Sequence, residues 1–425
     1  MTSTYDNSHV ESSSLHEPFL ERAADTEEQE AGGNGLGAFL TLRLIDQFSA
    51  DREKIHREAT AYQVTATGEF LNDIYPHTPE VTHLRELVRV AGTALDTKDR
   101  RLLLPPLMAF AFWLEQELQL DEAIDVLKTA LQLSDGRDGE EEVAAYLQYA
   151  RVLRMQGDFE GARGSYTRSG NIAATIGDQH SVMLSQIGHG VVLQKVGNLP
   201  ESERILREII KQAQDVGDRD AEARASHDLG VTLYFAGKAE SAIPLTYRAH
   251  ELHQSPVRRA RALSDTGTLL KEVGCYPAAR NAFDVVLAGH PPPEVRANTI
   301  LELLELSALV TDRVSFERWR QELTQHVPSL TTEQQVDFEV KLGTGLAHFG
   351  RQDLAEKHLR EALRIAEEQG MGERIFHVEQ RLQELIEDRT GLADNAAVTP
   401  DQRGGEPSVT DTIARLEALA ADAVG

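Results

Sequence analysis

The chain has 425 residues, 41% of them hydrophobic but only 6% aromatic, so its core must be packed by Leu, Ala, Val and Ile. Its 69 acidic residues against 43 Lys and Arg leave a formal charge of −26, which excludes a generic nucleic-acid binder, because such binding needs cations to displace counterions from phosphates. The single cysteine, Cys275, excludes an internal disulfide framework and a cysteine-based zinc site.

No apolar run approaches the roughly 18 to 20 residues of a membrane span, and the acidity discourages adhesion to anionic membranes. The opening residues have no basic start and no apolar stretch, so no secretory signal is expected and the cytoplasm is the default location. The abundance of Ala, Leu, Glu, Arg and Gln, all strong helix formers, with β-branched residues scattered rather than alternating, predicts an all-α fold.

In chain order, residues 1–35 hold Ser, Thr, Asp, Glu and Gly and end in AGGNG, which predicts a disordered acidic tail. Residues 36–98 contain IHREATAYQVTATGEFLNDIY and TPEVTHLRELVRVAGTAL, read as a helical pair joined at Pro76 to Pro79. This segment is either an N-terminal cap or a degenerate leading repeat; a solenoid needs such caps to hide its terminal apolar face.

From residue 99 the sequence repeats itself. Gly157, Gly197 and Gly237 are 40 residues apart, Gly274 follows after 37, and Gly350 after 76, which is two units of 38. Seven residues before each glycine stands a small residue: Ala150, Gly190, Gly230, Gly267 and Gly343. Five after stand Ala162, Ser202, Ala242, Ala279 and Ala355, and four further on come Tyr166, Leu206, Thr246, Phe283 and Leu359. Pro200 and Pro277 each lie three residues past a glycine, where the first helical turn has N–H groups to spare.

The physical reading is a helical hairpin. Small residues let the second helix approach the first, and glycine ends the first helix in a left-handed conformation without Cβ strain. A second punctuation, Gly177 and Gly217, each followed by Asp, ends the second helix and offers an aspartate N-cap to the next unit. One degenerate unit, NTILELLELSALVTDRVSFERWRQEL, follows Pro291, Pro292 and Pro293. Residues 387–407 read as a flexible linker, and 408–425 as a short amphipathic helix with Ile413, Leu416, Leu419 and Ala420 on one face.

The pattern resembles the tetratricopeptide repeat family, whose units carry a small residue, Gly, an aromatic or apolar residue, Ala, an aromatic or Leu, and Ala in that order. The unit around Gly157 matches with Ala150, Gly157, Phe159, Ala162, Tyr166 and Ser169; the unit around Gly350 with Gly343, Gly350, Ala355, Leu359 and Ala362. An upstream unit fits without its glycine, through Ala111, Leu118, Leu120, Ala123, Leu127 and Ala130. The 40-residue period resembles the extended-helix variety found in bacterial regulators and cell-polarity scaffolds. The resemblance implies a right-handed α-solenoid of stacked antiparallel helix pairs, about seven of them over residues 99–386, the one near 296–327 degenerate.

Candidate chemistry is sparse. No GxxxxGK[ST] or GxGxxG follows a strand pattern, and QGDFEGA lacks the lysine of a phosphate loop. Ser226, His227 and Asp228 have the letters of a hydrolase triad, but adjacent helical residues point about 100° apart and do not converge. His250 and His253 lie three residues apart with no third ligand in evidence, which favours a solvated helix face over a metal site. Cys275 sits in the turn GCYPAA, where a small residue suffices, and Glu140, Glu141 and Glu142 suit a helix N-terminus. No acid pair in an apolar setting suggests general acid–base catalysis, so no enzyme activity, cofactor or metal is expected.

In the family, certain first-helix positions face the concave groove. Carried onto this sequence they give a candidate peptide groove of Leu147, Arg151, Arg154, Ile187, Val191, Gln194, Arg224, His227, Tyr234, Arg261 and Lys271. Arg forks suit carboxylates, so the expected partner is a protein or peptide with acidic segments. The asparagines of the family's carboxylate-clamp members are missing. The C-terminal helix, tethered to the same chain, is a second expected occupant of that groove. The function expected is a non-enzymatic protein- or peptide-binding scaffold. The alternative is a regulatory or peptide-sensing subunit that gates a transcription factor or phosphatase without a DNA-binding domain of its own; a self-associating assembly factor is a third reading.

Overall fold

The computed structural model describes residues 16–24, 29–49, 56–74, 78–134, 139–327, 330–390 and 407–424. They form twenty α-helices and short 3-10 turns, with no strand among the described residues. The chain divides into two compact units, residues 1–198 and 199–425.

The first unit holds α1 (Glu17–Ala24), α2 (Gln29–Ile45), α3 (Arg57–Asp73), α4 (Pro79–Thr97), α5 (Leu104–Gln116), α6 (Leu120–Leu133), α7 (Gly139–Gln156), α8 (Phe159–Ile176) and α9 (Gln179–Lys195). Helices α3 and α4 occupy the two stretches expected to pair, and they do pack together. Of the segment expected to be disordered up to residue 35, residues 17–24 and 29–35 are helical instead. Phe19 of α1 is fully buried and stacks on Phe110 of α5, and His16, just before α1, is held between Asp46 and Asp125. Composition alone missed this because one phenylalanine and one histidine anchor an otherwise polar stretch. Residues 1–15 lie outside the described residues.

The second unit holds α10 (Leu199–Val216), α11 (Arg219–Phe235), α12 (Ala239–Leu252), α13 (Pro256–Glu272), α14 (Tyr276–Ala288), α15 (Pro293–Leu309), α16 (Arg313–His326), α17 (Thr332–His348), α18 (Gln352–Glu368), α19 (Gly372–Thr390) and α20 (Pro407–Val424). Successive helices pair as α11 with α12, α13 with α14, α15 with α16 and α17 with α18, and first helices of adjacent pairs also touch. Helix α19 runs four residues into the stretch read as linker, while residues 391–406 are not described.

The glycine ruler has its physical cause in the turns. Gly157, Gly237, Gly274 and Gly350 all have φ between +72° and +93°, the left-handed cap that costs glycine no Cβ clash. The next residue's N–H closes the cap, as in Asp158 N to Leu153 O at 2.9 Å and Lys238 N to Leu233 O at 2.8 Å. Where the glycine is missing the geometry persists: Leu118 (φ 59°) and Thr311 (φ 58°) adopt the same conformation, with Gln119 N to Leu114 O at 2.9 Å and Asp312 N to Ser307 O at 2.8 Å. The aspartates act as N-caps: Asp178 accepts from Ser181 N at 3.0 Å and Asp218 from Ala221 N at 3.0 Å.

The small first-helix residues mark close approaches. A Cβ on Gly267 of α13 would lie 2.5 Å from the Phe283 ring of α14, and one on Gly230 of α11 would lie 2.5 Å from Thr246 of α12. The repeat register therefore records contact between paired helices, and it fixes which face of each first helix is left over for other work.

Candidate ligand-binding face

In the first unit the relevant helices are α5, α7 and α9, which follow one another through α6 and α8. Arg151 of α7 donates to Glu115 of α5 at 2.6 Å, and its guanidinium lies 5.8 Å from the centre of the Phe112 ring. Phe112 is 50% exposed, so a large aromatic stands beside the ion pair in water. Gln148, Arg151 and Arg154 are spaced by three residues and run along one stripe of α7. Gln194 of α9 stands one 40-residue period after Arg154.

Four nitrogen donors on this stripe have no hydrogen-bond partner among the described residues: Gln148 Nε2, Arg151 Nε, Arg154 Nε and Gln194 Nε2. Gln148 and Gln194 are only 8% and 9% exposed. A buried donor without an acceptor costs about 1–3 kcal/mol, so four of them in neighbouring helices ask for oxygens from elsewhere. Leu147 and Val191 are half-buried between them. Ile187 differs from expectation: it is buried in the core, because α9 turns that position inward.

In the second unit the basic stripe expected from the register is largely neutralised by the chain's own acids. Arg224 pairs with Asp220 of the same helix at 2.7 Å, with Arg258 of α13 3.5 Å from the same carboxylate. Arg261 pairs with Glu294 of α15 at 3.1 Å. Lys271, expected to face a ligand, is 4% exposed. Helix α15 covers it, and its ammonium sits 2.7 Å from Glu302 and also contacts Glu305. Lys341 of α17 bonds Glu302 at 3.0 Å and reaches Glu305 as well.

Burial opposes charge on all four groups of this cluster, but the opposite charges outweigh it. Lys271 and Lys341 are driven up and Glu302 and Glu305 down, so the cluster is fully ionised. Tyr234 remains 39% exposed nearby. The signal for the cluster was in the sequence: Glu302 and Glu305 sit at i, i+3 in the degenerate unit, and Lys341 one unit on.

His227 does not meet Ser226 in a triad. Its Nε2 lies 2.6 Å from Asp265 of α13; burial acts to lower its pKa, but Asp265 outweighs burial and raises it. The His253 ring makes an edge contact with it, centroids 6.4 Å apart. Burial first, and then the His227 charge, push His253 down to about 4. His250 and His253 are both buried, not on the solvated face expected for them, since His250 closes on Arg259 O at 3.0 Å across the α12–α13 turn. Cys275 is half-buried at the start of α14, and burial raises its thiol.

The sequence comparison agrees with the register. Residues 181–255 match the tetratricopeptide repeat family model. That segment carries tetratricopeptide repeats. No curated protein matches it. Among solved structures it is similar to the Rap conjugation gene regulator of plasmid pLS20 in complex with the Phr* peptide (13% identity, 83% of this chain and 97% of the other, TM-score 0.49). It is also similar to aspartyl phosphate phosphatase F from Bacillus subtilis (12%, 86% and 96%, TM-score 0.45), and to pilF of Pseudomonas aeruginosa (18%, 53% and 93%, TM-score 0.37). Among the described residues no group of three or more His, Cys, Asp or Glu could hold a metal ion, and no helix is long and apolar enough to cross a membrane.

Proposed function

We propose that this is a non-enzymatic repeat protein that binds a peptide or an extended protein segment along the first helices of its first unit. The observation that carries this reading is the run of four acceptor-less buried donors, Gln148, Arg151, Arg154 and Gln194, beside exposed Phe112. An extended peptide supplies what they lack. Its backbone carbonyls and acidic side chains are acceptors, and charge-assisted bonds from arginine are the strong ones. Phe112 offers an apolar face for a side chain. The ligand carries acceptors and negative charge, because all four unmatched atoms are donors and Arg154 has no acidic partner among the described residues. The ion-paired faces of the second unit are ill suited to the same task, since a ligand would first have to displace acids already in place.

The test is a panning of random dodecapeptides against the full chain, with the recovered peptides measured by fluorescence anisotropy. Arg154→Ala and the pair Gln148→Leu, Gln194→Leu should each weaken binding about tenfold or more, as expected for loss of a hydrogen bond to a charged group. Arg261→Ala in the second unit should leave it unchanged. Equal affinity for all variants, or loss confined to Arg261→Ala, would remove the first-unit assignment.

A further inference from the structure

The last helix leaves the order of the stack. Among the described residues the next helix after α19 is α20, and it lies mainly on α14 and α12, the second helices of two earlier pairs, rather than on α19. This is not the first-helix face on which the sequence placed it as a possible occupant. The contact has a defined chemistry. Val409, Thr412 and Leu416, spaced three and four residues apart, are the buried stripe, with Leu416 fully buried. Arg415 forms an ion pair with Glu251 of α12, and its guanidinium lies 5.3 Å from the centre of the Tyr247 ring one turn earlier.

The contact is also small. Among the described side chains of this eighteen-residue helix three are buried and Ile413, Leu419 and Ala420 are half-buried, with one ion pair beside them, while Ala414, Glu417, Ala418 and Ala421 remain in solvent. Such a contact depends on the covalent connection to keep the helix near its seat, at an effective concentration of about millimolar order. The receiving face takes a helix rather than an extended strand: α20 packs on both α14 and α12, and Tyr247 and Glu251 are one turn apart on α12, matching the pitch of a helical partner. Glu251 Oε2 has no hydrogen-bond donor, and Arg248 of the same helix stands 3.8 Å from it, so Glu251 is the acidic centre of this face and Arg415 is its close partner.

We propose that the α12–α14 face is a second binding surface, for an amphipathic helix that places an arginine beside an aliphatic stripe, and that α20 is its built-in competitor. A partner helix of that chemistry binds by displacing Arg415 from Glu251 and Tyr247 and Leu416 from its seat. The surface is separate from the first-helix stripe of the first unit, so it does not depend on the peptide reading above.

The probe is a fluorescently labelled synthetic peptide of residues 407–424, titrated onto the full chain. It should bind the Leu416→Asp protein, whose own helix is undocked, at least about tenfold more tightly than wild type. Adding Glu251→Arg to that protein should abolish binding, and a peptide carrying Arg415→Glu should restore it, a rescue that mere misfolding cannot give. Amide exchange across α12 and α14 should rise in Leu416→Asp relative to wild type while the first unit stays unchanged. The proposal is overturned if the peptide binds wild type and Leu416→Asp equally, if it binds neither, or if exchange on α12 and α14 is the same in both. A wild-type dimer that appears with concentration and is lost in Leu416→Asp would also overturn it, by making the occupant the α20 of a second copy.

Discussion

Leu118 and Thr311 carry a left-handed backbone that the other turns assign to glycine. A side chain with Cβ in this region costs about 1–2 kcal/mol relative to glycine. Leu118 is 60% exposed, so it returns little by packing. Leu118→Gly should therefore stabilise the protein by about 1 kcal/mol, less a few tenths for the greater entropy of the unfolded chain. A higher urea midpoint at unchanged slope would register this, and an unchanged or lower midpoint would show that the turn is not strained. Thr311 is a weaker case, because its hydroxyl also lies 3.2 Å from His348. Both positions fall on the 40-residue ruler, so the missing ticks were legible; that the cap survives without glycine was not, since only the six-residue closure around it holds the conformation.

At the scale of elements, the second unit joins successive first helices by charge. Lys271 of α13, Glu302 and Glu305 of α15 and Lys341 of α17 make a two-plus-two cluster whose members satisfy one another. Removing one member leaves an uncompensated buried charge, which costs about 3–5 kcal/mol. Lys271→Ala should lower the stability of this unit by about 3 kcal/mol, toward the low end because Glu305 retains some solvent. The double change Lys271→Met with Glu305→Leu should recover most of that loss. Chemical denaturation of the two variants checks both; equal stability of Lys271→Ala and wild type would show that the cluster contributes no net pairing. The register correctly put Lys271 on a first helix, but it could not show that the acids of a degenerate unit would cover it.

At the scale of the whole molecule, the first described residue and the last described helix are both held by distant residues. The charged His16 donates to Asp125, 109 residues on, at 2.6 Å, and its other ring nitrogen lies 3.2 Å from Asp46, which Arg43 also contacts. Arg415 reaches Glu251, 164 residues back. Burial acts to lower the His16 pKa, yet the hydrogen bonds and charges of Asp125 and Asp46 raise it to about 9 from 6.5. A raised histidine stabilises the fold fully below its unfolded pKa and loses that contribution as pH rises through the folded value. Stability of the first unit should thus fall by roughly 2–3 kcal/mol between about pH 6.5 and pH 9.5, and His16→Asn should flatten that slope. A wild-type denaturation midpoint independent of pH in this window would remove the charged clamp.

The sequence by itself determined the helical class, the pairing of helices within the repeats and the turns that its spaced glycines mark. These follow from local rules: glycine where the backbone turns left-handed, aspartate where a helix starts, small residues where two helices touch. It also placed Arg151, Arg154 and Gln194 on one kind of face, because helical periodicity is local too. Only the tertiary structure decided which of those cations are available. Whether an arginine meets an acid depends on a neighbour 30 to 40 residues away, as with Arg151 and Glu115 or Lys271 and Glu302, and no local pattern encodes that meeting. The same holds for His16 and Arg415, which find partners more than a hundred residues distant. Long-range charge pairing is set by packing, and packing is what a repeat register leaves open.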